Sequence, residues 1–242
     1  MSKDKKERLD KCVAKVFSLT RTQAFGLIKN QRISVNSKVI CDPAFKISLD
    51  TLITLDNDIE ASACEGFKKR AFMLNKPKDY VCADRDRQHM VAVGLFADEP
   101  RFEQLHCAGR LDIDTTGLII ISDDGNLIHE ITAPKKNIEK VYLATTNEAI
   151  PNTAIELFAK GLKHKEEAFR YKSAKLEIID SNLGKVTVTE GRFHEVKRLF
   201  ECVGLEVIEL QRIQIGKLLL DENLEEGEYR ILSDDEISLI FK

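Results

Sequence analysis

The sequence has no long apolar segment. Nowhere in its 242 residues does an apolar run reach the roughly 18 residues that a transmembrane helix requires. The first residues, Met1 to Glu7, contain no apolar core of a signal peptide. We therefore expect a soluble, cytoplasmic protein that does not contact a membrane.

Cysteine and histidine do not occur at metal-binding spacings. The chain has no CxxC pair, no finger-like Cys/His arrangement and no HExxH sequence, so we predict no metal site. Scattered single cysteines are typical of buried, reduced thiols. That expectation covers Cys12, Cys41, Cys64, Cys82, Cys107 and Cys202.

Signatures of nucleotide cofactors and of serine hydrolases are also missing. There is no phosphate-binding GxxxxGK(S/T) loop and no GxGxxG following a strand, so no nucleotide cofactor is indicated. There is no GxSxG elbow and no clear Cys/His nucleophile pattern. We predict a protein that works without a cofactor.

Charge is distributed unevenly along a nearly neutral chain. The net charge is −3, but residues 1–46 hold eleven Lys or Arg against four Asp or Glu. Residues 215–242 hold three basic against eight acidic residues. A basic end on such a protein indicates a candidate phosphate-binding module, although a solvated charged helix explains the same counts.

The N-terminal part has the pattern of a small α/β module. Leu9, Val13 and Val16 have helical spacing, and Thr20 with Gln23 resembles a capping box that opens a second helix. Short alternating strands follow on either side of a turn at 36–37. Basic residues on so small a module are expected to share one RNA-binding surface, formed by Arg8, Lys11, Arg21, Lys29 and Arg32.

A second domain is predicted after a short polar linker. We assign residues 1–60 to the N-terminal domain, 61–69 to the linker and 70–242 to an α+β domain. In the α+β domain, residues 118–122 form an apolar run that is typical of a buried strand. Ser233 and Glu236 predict a capping box for a last helix.

Polar residues are concentrated just before that buried strand. The segment 109–119 places Asp112 and Asp114 beside Arg110, between Gly109 and Gly117. A carboxylate at a strand edge can be a nucleophile, a general base or a metal ligand. The alternative is that both acids only form turns and caps.

Two further residues are candidates for a site. Residues 193–203 have helical apolar spacing, with Lys197 at the margin of the apolar face. Lys197 either extends its charge into solvent or leans into a cleft and keeps a carboxylate ionised. Tyr142, in an apolar strand, is either a core residue or a platform for a flipped base.

Three separated segments together resemble one family. GRLDIDTTGL at 109–118, LNKP at 74–77 and EGRFHEVKRLF at 190–200 are similar to motifs of bacterial ribosomal RNA pseudouridine synthases of the RsuA type. Residues 8–56 resemble the small S-four-like RNA-binding domain that precedes the catalytic domain in that family. The resemblance implies a mainly antiparallel, mixed-sheet catalytic domain.

The resemblance also implies roles for individual residues. Asp112 matches the essential aspartate, and Tyr142 matches the tyrosine that stacks on the target base. Lys197 matches the basic partner of the aspartate, Leu199 an apolar residue of the pocket, and Arg110 a contact to the RNA strand. The family needs neither a cofactor nor a catalytic metal.

The sequence departs from the family pattern in places. Glu195 stands where Gln is usual, and we expect its charge to weaken RNA contact at a phosphate-facing helix. Asp79 stands where Gly is common. Ser37 replaces the usual Gly of the hairpin turn, which leaves the turn type open.

The resulting prediction is a monomeric enzyme that isomerises one uridine of small-subunit ribosomal RNA, within an assembly particle. The segments DTTGL and SDDG favour a small-subunit target over a large-subunit one. Other possibilities are a large-subunit synthase, a non-catalytic RNA-binding assembly factor, and a metal-dependent nuclease that uses Asp112 and Asp114.

Overall fold

A computed structural model describes residues 6–17, 19–48, 51–57, 59–62, 69–99 and 101–242. The chain divides into two compact units, 1–69 and 70–242. Within the described residues, no helix combines the length and the apolar character needed to cross a membrane.

The N-terminal unit packs two helices against short strands. Its elements are β1 Lys6–Arg8, α1 Leu9–Val16, α2 Arg21–Lys29, β2 Ile33–Val35, β3 Lys38–Val39, β4 Lys46–Ser48, β5 Leu52–Leu55 and β6 Ile59–Ser62. Strand β1 pairs with β4, and the other strands form a sheet in the order β3-β2-β5-β6. The predicted capping box is present, because Gln23 N donates to Thr20 Oγ1 at 3.2 Å and Thr20 N donates to Gln23 Oε1 at 2.9 Å.

Two local expectations for this unit are resolved by backbone geometry. Asn36 and Ser37 both have positive φ, 48° and 64°, as a two-residue turn between twisted strands requires. Ser37 therefore adopts the conformation that Gly would adopt more easily. Strand β6 pairs with β5 from Ile59 to Ser62, so the sheet extends into the predicted linker.

The second unit is built on a nine-stranded sheet within the described residues. Its elements are β7 Ala71–Lys76, β8 Tyr80–Val81, β9 Met90–Val91, β10 His106–Cys107, β11 Thr116–Ser122, α3 Gly125–Thr132, β12 Lys140–Thr146, α4 Thr153–Ala159, β13 Lys175–Asp180, β14 Leu183–Val188, α5 Glu195–Glu201, β15 Val207–Ile215, β16 Leu218–Leu219, β17 Tyr229–Ile231 and α6 Asp234–Leu239. Short 3₁₀ turns occupy Ala92–Phe96, Phe102–Gln104 and Pro134–Lys136.

The central strands run in the order β13-β14-β12-β15-β11-β7-β17, with β10 beside β11 and β16 beside β15. Every described pairing in this sheet is antiparallel except that of β11 with β15, which is parallel. The α+β class and the mainly antiparallel mixed sheet are thereby confirmed.

Strand β11 is buried on both faces, as its apolar run predicts. Ile119 and Ile121 belong to one apolar cluster. Leu118 and Ile120 belong to another on the opposite face. Successive side chains of a strand point to opposite faces, so one strand joins both layers of the core. The polar segment 109–115 immediately precedes β11 and is therefore attached to a strand that is buried along its whole length.

The helix predicted over 193–203 is shorter than its apolar spacing suggests. His194 has a left-handed backbone, with φ of 50°, and α5 begins only at Glu195. Phe193 is consequently not on the buried helix face. It is 63% exposed, and the centre of its ring is 3.7 Å from that of His194, on which it stacks.

The capping box predicted for the last helix, α6, is confirmed, because Glu236 N donates to Ser233 Oγ at 3.2 Å.

The described cysteines form no disulfide. Cys12 is buried, as expected, whereas Cys41 is exposed and Cys82, Cys107 and Cys202 are partly buried. Cys64 lies outside the described residues.

Candidate active site

The segment before β11 is held in place mostly by backbone groups. Thr115 N donates to Asp112 O at 3.1 Å, and Asp79 N donates to Ile113 O at 2.9 Å. The fully buried ammonium of Lys76 donates to the carbonyls of Pro77 and Tyr80, both at 2.8 Å. A third, longer contact of 3.4 Å reaches the carbonyl of Ile113. The motif LNKP thus supports the loop that carries Asp112.

Gly117 allows β11 to pair closely with β15. Its φ is +98°, and a Cβ there would come within 2.3 Å of the Arg212 carbonyl oxygen. No other residue type fits that approach without a backbone shift. The parallel pairing that brings Arg212 beside the Asp112 loop therefore depends on this glycine.

Two basic side chains lie near the Asp112 carboxylate. Lys197 Nζ is 3.8 Å from Asp112 Oδ2, and His194 Nε2 is 3.6 Å from Asp112 Oδ1. The Asp112 side chain is 25% exposed, which leaves it open to a ligand while partly shielding its charge. The Lys197 ammonium thus places a positive charge next to the Asp112 carboxylate.

Lys197 binds Asp114 more closely than Asp112. Its ammonium donates to the two Asp114 oxygens at 2.6 and 2.7 Å. Partial burial, the largest single influence, raises the pKa of Asp114. The hydrogen bond and the charge of Lys197, with smaller contributions from a backbone hydrogen bond and from His194, together outweigh it, so the net pKa lies below its ordinary value. The position of Lys197 beside the acidic segment agrees with the cleft interpretation, although its nearer partner is Asp114 and not Asp112, the carboxylate expected for it.

A cavity of about 530 Å³ adjoins Asp112. Asp112, Tyr142 and Arg212 contribute to its wall, together with the loop from Thr189 to Arg192. Its size is within the range typical of pockets that hold small molecules. Asp112 is therefore placed beside a cavity of ligand-binding size.

Tyr142 contributes to the cavity wall from β12. The residue is 8% exposed, and its hydroxyl lies 3.5 Å from Arg212 Nη1. Because Tyr142 also packs in the apolar core, the core and platform interpretations are compatible. Arg110 is exposed and also borders the cavity, where it can meet an RNA strand.

Leu199 does not occupy the place predicted for it. It is fully buried in the apolar core, and the cavity wall does not include it. Val196, one turn earlier on α5, and Leu210 on β15 supply apolar wall instead. The side chain of Leu199 points from α5 into the core, so it packs behind the cavity wall and is not part of it.

Glu195 is also placed differently from the expectation. It is 6% exposed and borders the cavity, so it does not face solvent on a phosphate-binding helix. Its carboxylate accepts a hydrogen bond from Arg192 N at 3.2 Å. Burial is the main cause that raises its pKa to about 7.

Several residues of the site were missed by sequence reasoning. His194 stands within the basic motif, but the histidines are dispersed along the chain and their spacing gave no signal. Arg212 lies two positions after Leu210 on β15, so both side chains are on the same face of the strand. A charged residue on an apolar strand face could have marked Arg212 as a site candidate. Lys140 is partly buried and donates to Glu190 O at 3.3 Å, and burial lowers its pKa to about 8.

The five basic residues predicted to bind RNA lie in the N-terminal unit, and four form ion pairs there. Arg8 and Arg21 both bind the buried Asp10 at 2.9 Å. The hydrogen bond from Arg8 is the main cause that lowers the pKa of Asp10 to about 2. The remaining contacts are Lys11 to Glu7 at 2.7 Å, Arg32 Nε to Asp56 Oδ1 at 2.8 Å, and Lys29 over the Phe25 ring at 5.8 Å.

No cluster of three or more potential ligands among His, Cys, Asp and Glu is arranged for a metal ion in the described part of the chain. At the acidic segment, the Lys197 ammonium lies beside both Asp112 and Asp114. This geometry differs from that expected for the metal-dependent nuclease, in which the two carboxylates would face one ion.

Comparisons with known proteins agree with this geometry. Residues 70–202 match the family model described as RNA pseudouridylate synthase, and residues 7–53 match the S4 domain model. The chain is 41% identical to "Ribosomal small subunit pseudouridine synthase A" of Salmonella typhimurium, over 96% of this chain and 99% of the relative. The protein of the same name from Haemophilus influenzae is 40% identical, over 97% of this chain and 100% of the relative.

A solved structure supports the same assignment. "Crystal structure of pseudouridylate synthase" aligns with a TM-score of 0.69 and 39% identity, and covers 96% of this chain and 99% of that one. With an N-terminal S4 domain, a matching catalytic domain and full-length relatives, the chain belongs to the RNA pseudouridylate synthase family and is a pseudouridine synthase, an isomerase that acts on RNA.

Proposed function

We propose that this protein converts one uridine of small-subunit ribosomal RNA to pseudouridine and that Asp112 is its catalytic carboxylate. The main support is a single juxtaposition: Asp112 lies 3.8 Å from the Lys197 ammonium and borders the same cavity as Tyr142. The small-subunit target rests on the names of full-length relatives, which are 40–41% identical.

The reaction is balanced without any added reagent. The bond from ribose C1′ to uracil N1 breaks, a bond from C1′ to C5 forms, C5 loses its proton, and N1 gains one. An ionised Asp112 can start this by attacking the sugar or the base, or by taking a sugar proton to give a glycal-like intermediate. Each of these routes needs a carboxylate at position 112, and the Lys197 ammonium lies 3.8 Å from it.

Two other residues of the cavity wall, Tyr142 and Arg110, contact the RNA in different ways. The Tyr142 ring provides a stacking surface for a uracil that has left the RNA helix. The exposed Arg110 at the cavity border meets the adjoining RNA strand. Backbone contacts of this kind position the RNA, while the pocket selects the base.

The N-terminal unit supplies further affinity for RNA. Arg8, Arg21 and Arg32 each have a half-exposed or more exposed side chain that RNA phosphates can reach. Their acidic partners neutralise part of this charge, so phosphate binding here replaces an ion pair within the protein by a contact to RNA.

We propose that the enzyme acts as a monomer, in the cytoplasm, on an assembly particle of the small subunit.

The decisive experiment compares substrates. Purified protein is incubated with naked small-subunit RNA, with an assembly particle, and with naked large-subunit RNA, and pseudouridines are mapped in each. We expect a new pseudouridine in the small-subunit samples, more abundant in the particle. Modification confined to large-subunit RNA would support the alternative target. Absence of modification in every sample would support the non-catalytic assembly factor.

A further inference from the structure

Arg212 is a buried cation whose guanidinium lies over the Tyr142 ring, near its hydroxyl. The residue is 3% exposed, and its Nε donates to the Leu118 carbonyl at 2.7 Å. Its Nη1 lies 3.5 Å from the Tyr142 hydroxyl, and its guanidinium carbon is 6.0 Å from the centre of the Tyr142 ring. The guanidinium is thus held by its hydrogen bond to β11 while it lies next to the Tyr142 ring.

One nitrogen of this guanidinium has no hydrogen-bond acceptor among the described residues. No carboxylate of the described residues lies within ion-pair distance of Arg212, and its buried Nη2 has no hydrogen-bond partner among them. Burying a charged donor without an acceptor is costly, so such groups are normally paired. A ligand that enters the cavity can supply the missing acceptor, because Arg212 borders it.

The position of Arg212 favours an acceptor on the base over a phosphate. The cavity lining carries charges of both signs: besides Arg212 it includes the acids Asp112, Glu190 and Glu195 and the basic residues Arg110, Lys140, Lys172, Arg192 and His194. A phosphate can therefore pair with exposed basic residues such as Arg110 and Lys172, whereas the buried Arg212 is reached by a group that enters the cavity. A base that stacks on Tyr142 brings its rim, and hence its carbonyl oxygens, toward the guanidinium.

We propose that Arg212 binds the flipped uracil by donating a hydrogen bond from Nη2 to a ring carbonyl oxygen. The proposal rests on the proposed function, because it requires a uracil in this cavity. It makes Arg212 a recognition residue for the base, separate from the carboxylate that starts the reaction. Arginine only donates, so the contact needs an acceptor at that position of the ring.

Atomic substitution in the RNA tests this contact. Transcripts of the modified ribosomal RNA are made with ordinary uridine, with 2-thiouridine or with 4-thiouridine, and kcat/KM is measured from the pseudouridine products by nucleoside mass spectrometry. The wild type is compared with Arg212→Gln in a double-mutant cycle, which cancels any effect of sulfur on RNA folding. Sulfur accepts hydrogen bonds weakly, so it mimics removal of the hydrogen bond.

We expect one of the two thio-transcripts to lower kcat/KM of the wild type about tenfold to a hundredfold more than it lowers that of Arg212→Gln. The position of the sulfur then identifies the bound carbonyl, at C2 or C4. Equal effects of both thio-transcripts on wild type and variant would overturn the proposal. If Arg212→Gln fails to fold, the same cycle is run with Arg212→Lys, which keeps the charge but not the forked donors.

A matched control and the choice of RNA keep the result interpretable. Arg230, on β17, binds Asp221 at 2.7 Å and Glu236 at 2.8 Å and does not border the cavity. Arg230→Gln should respond to every transcript as the wild type does. If the enzyme modifies large-subunit RNA instead, the cycle is run on that RNA, so a wrong target and a wrong contact give different results.

Discussion

Lys197 pairs most closely with Asp114, with 2.6 and 2.7 Å between its ammonium and the two carboxylate oxygens. Asp112 lies 3.8 Å from the same ammonium. One cation thus serves two carboxylates that would otherwise repel each other across the loop. The side chain of Lys197 is 16% exposed, whereas that of Asp114 is 62% exposed, so solvent weakens the Asp114 pair more.

This geometry predicts different costs for removing the two partners. Lys197→Met should lower kcat roughly tenfold to a hundredfold, the usual worth of a charge-assisted contact, because Asp112 is left without its cation. Asp114→Asn should cost less than about fivefold, because Lys197 can then turn fully to Asp112. Steady-state kinetics on one RNA substrate checks both. Equal losses in the two variants would mean that the Lys197–Asp114 pair itself is what the reaction needs.

Asp112→Asn should abolish pseudouridine formation and leave RNA affinity nearly unchanged. The amide keeps the shape of the side chain but can neither attack nor accept a proton, so we expect a loss of at least about a thousandfold in kcat. Single-turnover assays measure the rate, and filter binding measures the affinity. Asp235→Asn, at an exposed acid of α6, is the matched control and should behave as the wild type. Turnover near the wild-type rate in Asp112→Asn would disprove the assignment.

Local sequence signals predicted the parts of the fold that local physics determines. The capping boxes at Thr20 and Ser233 depend on two residues three positions apart, and both are present. The apolar run 118–122 needed only its own composition to indicate a doubly buried strand. Strand β17, by contrast, exists because it pairs with β7, which lies far away in the sequence.

The site was less predictable for the same reason. Its residues come from distant segments, and their contacts depend on which strands meet. Arg212 reaches Tyr142 only because β15 pairs with β12 on one side and β11 on the other. The left-handed backbone of His194 shortened α5 and removed Phe193 from the buried face, which periodicity alone could not show.

The N-terminal unit offers a test of phosphate binding by charge. Replacing Arg21 and Arg32 with Gln should weaken RNA binding and reduce the slope of log K against log salt by about one for each phosphate that is no longer neutralised. Titrations at several salt concentrations measure that slope. An unchanged slope would mean that other residues hold the phosphates.

Asp56→Asn should increase the positive charge that Arg32 offers to RNA, in contrast to the loss of charge in Arg32→Gln. It releases Arg32 from its ion pair, and Asn tolerates the positive φ of 53° at this position. If Arg32 binds phosphate, this variant should bind RNA more tightly than the wild type and with at least as steep a salt slope. Weaker binding would indicate that the Arg32–Asp56 pair is needed to keep the RNA-binding surface in shape.

Glu195 makes stability depend on pH. Its pKa is raised to about 7 in the folded protein from an ordinary 4.5, mainly by burial. The folded state therefore binds its proton more tightly than the unfolded state. Its contribution to stability is complete below about pH 4.5 and is lost as the pH rises through 7. The shift corresponds to about 3 kcal/mol between these limits, as an order of magnitude.

Glu195→Gln removes this titration, so the free energy of unfolding of the variant relative to the wild type should increase as the pH rises from about 4.5 to about 7 and level off above that. Denaturant unfolding at each pH measures the difference. Glu156→Gln is the control, because the Glu156 side chain is 80% exposed and its only described ion pair, to Lys160 at 3.6 Å, lies on the surface. Its difference from the wild type should stay flat. A flat difference for Glu195→Gln as well would show that this carboxyl is ionised without cost in the folded protein.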